Sequence, residues 1–200
     1  MARANGAALP ATTGNHGDGA ALPAGSYRSR GGLVAMAIDW ERIWEHVTRE
    51  FRCASDSIHG PSHWRRVERN GLLLATRSGA IEEVVRLFAV FHDSRRTHDD
   101  WDDTHGAAGA AYATSLRGVL YEISDQHFEL LHYACEWHTH GQLSDDPTIG
   151  TCWDADRLDL AREGVGIQPR ARYMSTEFAR EIADHGAIKA IQNESKKGRG

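Results

Sequence analysis

The sequence predicts an all-α helical bundle. Apolar residues recur at helical spacing in one segment after another. Helix-starting residues stand at the head of most of these segments, among them Asp39, Pro61, Thr104, Asp125 and Pro147. No stretch shows the strict apolar–polar alternation, flanked by tight turns, that marks a β-hairpin.

Asp39 caps a first helix whose inward residues are Trp40, Ile43, Trp44, Val47 and Phe51. Pro61 and Ser62 open a second, with Trp64, Val67, Gly71 and Leu74 inward. In the third, Ile81, Val84, Val85, Phe88 and Ala89 fall at i, i+3, i+4, i+7 and i+8, which is one helical face. Thr104 caps a fourth, with His105, Ala108, Tyr112 and Leu116 on one stripe. Asp125 opens a fifth that aligns Phe128, Leu131, Cys135 and His138. Pro147 begins a sixth, in which Asp156 and Leu160 share a face, and Ser175 begins a seventh through Phe178 and Ile182. Gly106 and Gly109 permit close helix packing and carry no motif.

The chain has 200 residues, enough for one domain with flanking segments, and a hydrophobic share of 40% supplies a core. Residues 1–35 are rich in Ala, Gly, Pro, Ser and Thr and are expected to be a disordered extension. Met36 directly precedes the first helical periodicity, so this segment is either a flexible tail or an extension from the gene prediction. The domain is expected over 36–190, followed by a flexible basic tail, 191–200. A formal charge of −5 gives no global attraction to nucleic acid or an anionic membrane, so neither is an expected partner. No apolar run has the length of a membrane span. Cys53, Cys135 and Cys152 fit neither a zinc ribbon nor a disulfide framework, and Cys135 and Cys152 read as small buried hydrophobes. A cytoplasmic location follows as the expectation.

The third helix ends in His92-Asp93, and His92 continues its apolar face. A helix packed inward therefore carries an imidazole and a carboxylate into the interior, where an uncompensated charge is costly. A metal ion at the helix end satisfies both. Further ligand types lie elsewhere: His59 and His63, then His105, then Glu136, His138 and His140, then Asp154, Asp156 and Asp159. Histidine and carboxylate from separate helices commonly build catalytic metal sites.

The order His63, His92-Asp93, then Asp156 followed by Arg157 and Leu158 resembles the HD superfamily of metal-dependent phosphohydrolases, over roughly residues 39–182. Arg66-Val67 stands three residues after His63, matching that family's first motif. The resemblance is to small stand-alone members, without the Gly-Tyr-Pro signature of the cyclic-dinucleotide branch. It implies an HD-type bundle around one divalent ion (manganese, iron, cobalt or zinc) held by His63, His92, Asp93 and Asp156, the residue directly before the basic one. It also implies hydrolysis of a phosphate ester or anhydride, with a nucleotide or another small phosphorylated metabolite as substrate.

Asp154 and Asp159 are expected to support the ligands or lie on the helix surface. His105 and His138 are open to three readings: ligands of a second ion, groups that contact phosphate or donate a proton, or structural histidines. Arg66 and Arg157 are the foremost phosphate-binding candidates, with Arg95 and Arg96 beside them, because guanidinium donors suit phosphate oxygens. His59 is a candidate for the site's entrance, and Trp101 for a lid. Two other functions fit the same scaffold: a dinuclear iron oxygenase, and a binding module without catalysis.

Overall fold

A computed structural model describes residues 38–54, 56–140, 142–162 and 167–185. The expected extension (1–35) and basic tail (191–200) lie outside the described residues. Among these residues seven α-helices run in order: α1 (Trp40–Arg49), α2 (Pro61–Ser78), α3 (Glu82–Phe91), α4 (His105–Leu116), α5 (Asp125–Trp137), α6 (Pro147–Asp159) and α7 (Glu177–His185). Two short 3₁₀ turns, His138–His140 and Ala171–Tyr173, join them. Among the described residues there is no strand, only an isolated bridge between Arg117 and Tyr121. No helix among them is long and apolar enough to cross a membrane.

The caps follow from side-chain chemistry. Asp39 accepts from the Arg42 backbone N–H, Ser124 from that of His127, and Asp146 from those of Thr148 and Ile149. Helix α2 ends at Gly79, whose φ of 75° is left-handed. Thr104 holds the N-cap position of α4 without capping it. Its amide and hydroxyl both bond Asp102 instead.

Helix α3 is the hub. Helices α1, α2, α4, α5 and α6 all pack against it. The sequence indicated one buried face, but the structure buries Leu87, Val90 and Phe91 as well as Val84, Val85, Phe88 and Ala89. A helix enclosed by five neighbours has no solvent side in its last two turns, and its sequence there is apolar all round. The face of α4 differs in the same way. Gly106, Gly109, Ala110 and Ala113 are buried, whereas Ala108 is exposed and Tyr112 only half-buried. His105 and Leu116 are buried as expected.

The two glycines account for the rotation of α4. A Cβ on Gly109 would lie 2.5 Å from the Phe91 carbonyl oxygen and 2.8 Å from that of His92. One on Gly106 would lie 2.8 Å from the carbonyl oxygens of Cys135 and Glu136. Backbone of α4 thus rests directly on the ends of α3 and α5, the places that present His92 and His138. Gly109→Ala is therefore expected to destabilise the fold by about 1–3 kcal/mol and to lower metal content. In an unconstrained helix the same change would stabilise by up to about 1 kcal/mol. Thermal denaturation decides between the signs, and a raised melting temperature would show that this contact has slack.

Candidate metal centre

The end of α3, the first turn of α2, the start of α4, the 3₁₀ turn after α5 and the last turn of α6 meet at one place. Asp93 stands at its centre. Its Oδ2 lies 2.9 Å from His59 Nδ1, 3.4 Å from His63 Nε2 and 3.6 Å from His92 Nε2. Its Oδ1 lies 3.1 Å from His105 Nε2 and 3.6 Å from His138 Nε2. Asp156 Oδ1 closes the first group, 3.2 Å from His63 Nε2 and 3.7 Å from His92 Nε2. His63, His92, Asp93, His105 and His138 are all buried, while the Asp156 side chain is 24% exposed and marks the open side. A cavity of about 450 Å³ opens onto the cluster.

No protein-family model matches the chain, and no curated protein does. Among solved structures it is similar to the crystal structure of a predicted HD superfamily hydrolase from an uncultured Thermotogales bacterium. The two share 26% identity over 78% of this chain and 91% of the other, with a TM-score of 0.58. The chain has the all-α HD-domain fold.

In this HD domain every buried histidine has its Nδ1 committed. His63 Nδ1 lies 2.6 Å from Asp159 Oδ2. His92 Nδ1 faces the Phe88 and Ala89 carbonyls at 3.1 and 3.2 Å. His138 Nδ1 faces the Cys135 carbonyl at 2.7 Å, and His105 Nδ1 the Asp102 carbonyl. Those carbonyl and carboxylate partners accept only, so each Nδ1 carries the proton and each Nε2 a lone pair; Arg96 Nη1, 3.1 Å from His105 Nε2, can donate to that one. The four Nε2 atoms nevertheless face one another: His63 and His92 at 3.1 Å, His105 and His138 at 3.0 Å. Asp93 Oδ1 is buried without a hydrogen-bond partner. Lone pairs and carboxylates gathered this closely repel unless a cation lies among them. Ligand atoms about 2.1 Å from a shared ion stand roughly 3 Å apart, which is the spacing here. The donor set fits a divalent ion of the nitrogen-and-oxygen-binding kind.

Electrostatics describe a cluster that draws positive charge to itself: against their burial, its carboxylates raise His63 and His138, while His92 is lowered. Burial pushes the His92 imidazole down to about 4, so it is neutral at pH 7 and can donate its lone pair. Burial alone would raise the carboxyl of Asp93, but the surrounding histidines outweigh it and hold the group well below its usual range. Asp156 is likewise lowered against its burial, by His63 first. For His63 burial is opposed by Asp156, Asp159 and Asp93, which together raise it.

Arg66 and Arg157 do not reach the site. Arg66 makes a two-pronged pair with Asp159, Nε to Oδ1 at 2.7 Å and Nη2 to Oδ2 at 3.0 Å. Arg157 turns away to the carbonyls of Tyr173 and Gln142. Neither lines the cavity, because each guanidinium is used up inside the fold. Arg95 lies over the Tyr112 ring. The guanidinium groups that line the cavity are those of Arg96 and Arg162, both buried. Arg96 was one candidate among four. Arg162 has no sequence signal: it is placed by bonds to the Asp159 and Ile58 carbonyls.

Asp159 and Asp154 are both fully buried, so neither is a helix-surface group. Asp159 orients His63 and neutralises Arg66. Asp154 receives the backbone N–H groups of Ser175 and Thr176 and the Thr176 hydroxyl, fastening the chain that enters α7. His59, expected near the entrance, lines the cavity and also reaches Asp93, its backbone carbonyl held by the Trp64 indole N–H at 2.8 Å. His140 faces elsewhere, against Trp137. Cys135 and Cys152 are buried free thiols.

Proposed function

We propose that this HD domain is a metal-dependent phosphohydrolase acting on a small phosphate ester or anhydride. The observation that carries the reading is the convergence of four imidazole lone pairs on one buried carboxylate. His63, His92, Asp93 and Asp156 would hold the ion. Bound there, a divalent ion supplies hydroxide near neutral pH and offsets charge on a phosphate. Asp159 keeps His63 in the tautomer that presents Nε2. Arg96 and Arg162 place positive charge along the cavity wall, where phosphate oxygens need donors. Asp156, partly exposed, leaves that side open to substrate. Metal analysis of the purified protein, followed by a screen of phosphate esters and anhydrides, nucleotides included, with Mn²⁺ added, tests the reading. Protein that binds no divalent ion and cleaves none of these substrates would remove it.

The division of Asp93 favours a second reading, in which two ions bind. Its Oδ2 serves the His63–His92 group and its Oδ1 the His105–His138 pair. With one ion, His105→Gln and His138→Gln lower turnover but keep about one metal per chain. With two, the unmodified protein holds two and each variant loses one, because the second ion loses a strong ligand. Elemental analysis of the three proteins distinguishes these outcomes. A two-ion result would also call for an oxygen-consumption assay with iron, the chemistry of the oxygenase alternative.

A further inference from the structure

The loop between α3 and α4 carries Asp99, Asp100, Trp101, Asp102 and Asp103. Trp101 is 85% exposed, the most exposed large hydrophobic side chain among the described residues. Its ring lines the same cavity that opens onto the metal centre, beside Asp99, Asp100 and Asp102. A single exposed aromatic residue needs no explanation by itself. This one stands on a segment tied down on both sides. The Ser57 hydroxyl donates to Asp99 Oδ1 at 2.6 Å, Arg96 Nη2 to the Asp100 carbonyl at 2.7 Å, and His105 Nδ1 to the Asp102 carbonyl. Two of those three ties come from residues that also line the inner end of the cavity. The backbone that carries the ring is thus held relative to the centre, while the ring itself is open to solvent.

The two ends of the cavity have opposite character. The inner end holds Arg96, which is 5% exposed and whose Nε is buried without a partner. Its Nη1 faces His105 and its Nη2 the Asp100 carbonyl, so the free Nε–H donor and the guanidinium charge beside the metal cluster suit an anion. The outer end combines an open indole face with three carboxylates. A polyphosphate chain or a second anionic group reaching outward would meet those carboxylates. An ammonium group would meet attraction from both the charges and the ring face, the arrangement that recognises quaternary ammonium ligands.

We propose that Trp101, with Asp99, Asp100 and Asp102, determines specificity for a substrate whose far end is cationic, so that the substrate is the phosphate monoester of an amino or quaternary-ammonium alcohol. This rests on the phosphohydrolase reading for the phosphate end only. Phosphate enters toward Arg96, and the cation lies on the indole face.

Phosphocholine, glycerol 3-phosphate and a nucleoside triphosphate serve as probes with the metal-loaded protein. KM for phosphocholine is expected about tenfold below that for glycerol 3-phosphate, with similar kcat. Trp101→Ala should erase that ratio by raising KM for phosphocholine, and Trp101→Phe, which keeps a ring face, should preserve most of it. Equal KM values for the two esters in the unmodified protein, or the triphosphate as best substrate, would overturn the proposal and leave the phosphohydrolase reading intact. If no ester is cleaved, that reading fails, and choline alone still decides this one. It should quench tryptophan fluorescence in the unmodified protein and not in Trp101→Phe; identical responses overturn the proposal.

Discussion

Asp93→Ala is expected to yield a folded protein that retains no divalent ion and cleaves no phosphate ester. Five imidazoles lie within 3.6 Å of this one carboxylate, those of His59, His63, His92, His105 and His138. Removing it takes away a ligand and the anion that offsets a cation's charge in a buried site. Loss of a group that merely orients a ligand costs about 10–100-fold in metal affinity, and loss of the shared carboxylate should exceed that. His92→Ala removes the adjacent ligand and is expected to act in the same direction. The helical signal should survive in both, because the packing of α3 rests on Val84, Val85, Leu87, Phe88 and Phe91 rather than on the site. Metal content, turnover and circular dichroism of the two variants check the claim. Full metal content with unchanged turnover in both would refute it.

Asp159→Ala is expected to produce the largest loss of stability in the chain outside its apolar core. Its two oxygens receive His63 Nδ1 and both prongs of Arg66, and the Arg162 Nη1 lies 3.3 Å from Oδ2. Removing one partner of a buried pair leaves the other charge uncompensated, at a cost of about 3–5 kcal/mol. Metal affinity should fall too, since His63 loses the acceptor that fixes its tautomer. Asp159→Asn keeps the shape and one acceptor, so its effects should be smaller on both measures. Asp156→Asn should reverse the balance, with a larger loss of metal affinity and a smaller loss of stability. Asp154→Asn should loosen α7 and spare the metal, because its partners are Ser175 and Thr176. Denaturation curves and metal titrations of the four variants separate these roles. An Asp159→Ala protein as stable as the unmodified one would show that Arg66 and His63 find other partners.

The sequence by itself determined the all-α architecture, the order of its helices and the arrival of His92 and Asp93 in the interior. Helical periodicity reports directly which face is apolar, and the α3 pattern runs up to His92 without interruption. It also singled out His63, Asp156, His105 and His138, which the structure brings to the same cluster. Tertiary structure alone decided the partners. Arg66 pairs with a residue 93 positions away and His63 with one 96 positions away, separations at which periodicity carries no information. The face of α4 was misjudged because two glycines, read only as permitting close packing, set its rotation by resting on carbonyls of α3 and α5. The helix count around α3, and with it the burial of Leu87, Val90 and Phe91, is likewise a property of the assembled bundle. A period of 3.6 residues names the side of a helix that turns inward. Which charge waits there is settled only when distant segments pack, because a guanidinium or imidazole binds the carboxylate that the fold places within reach.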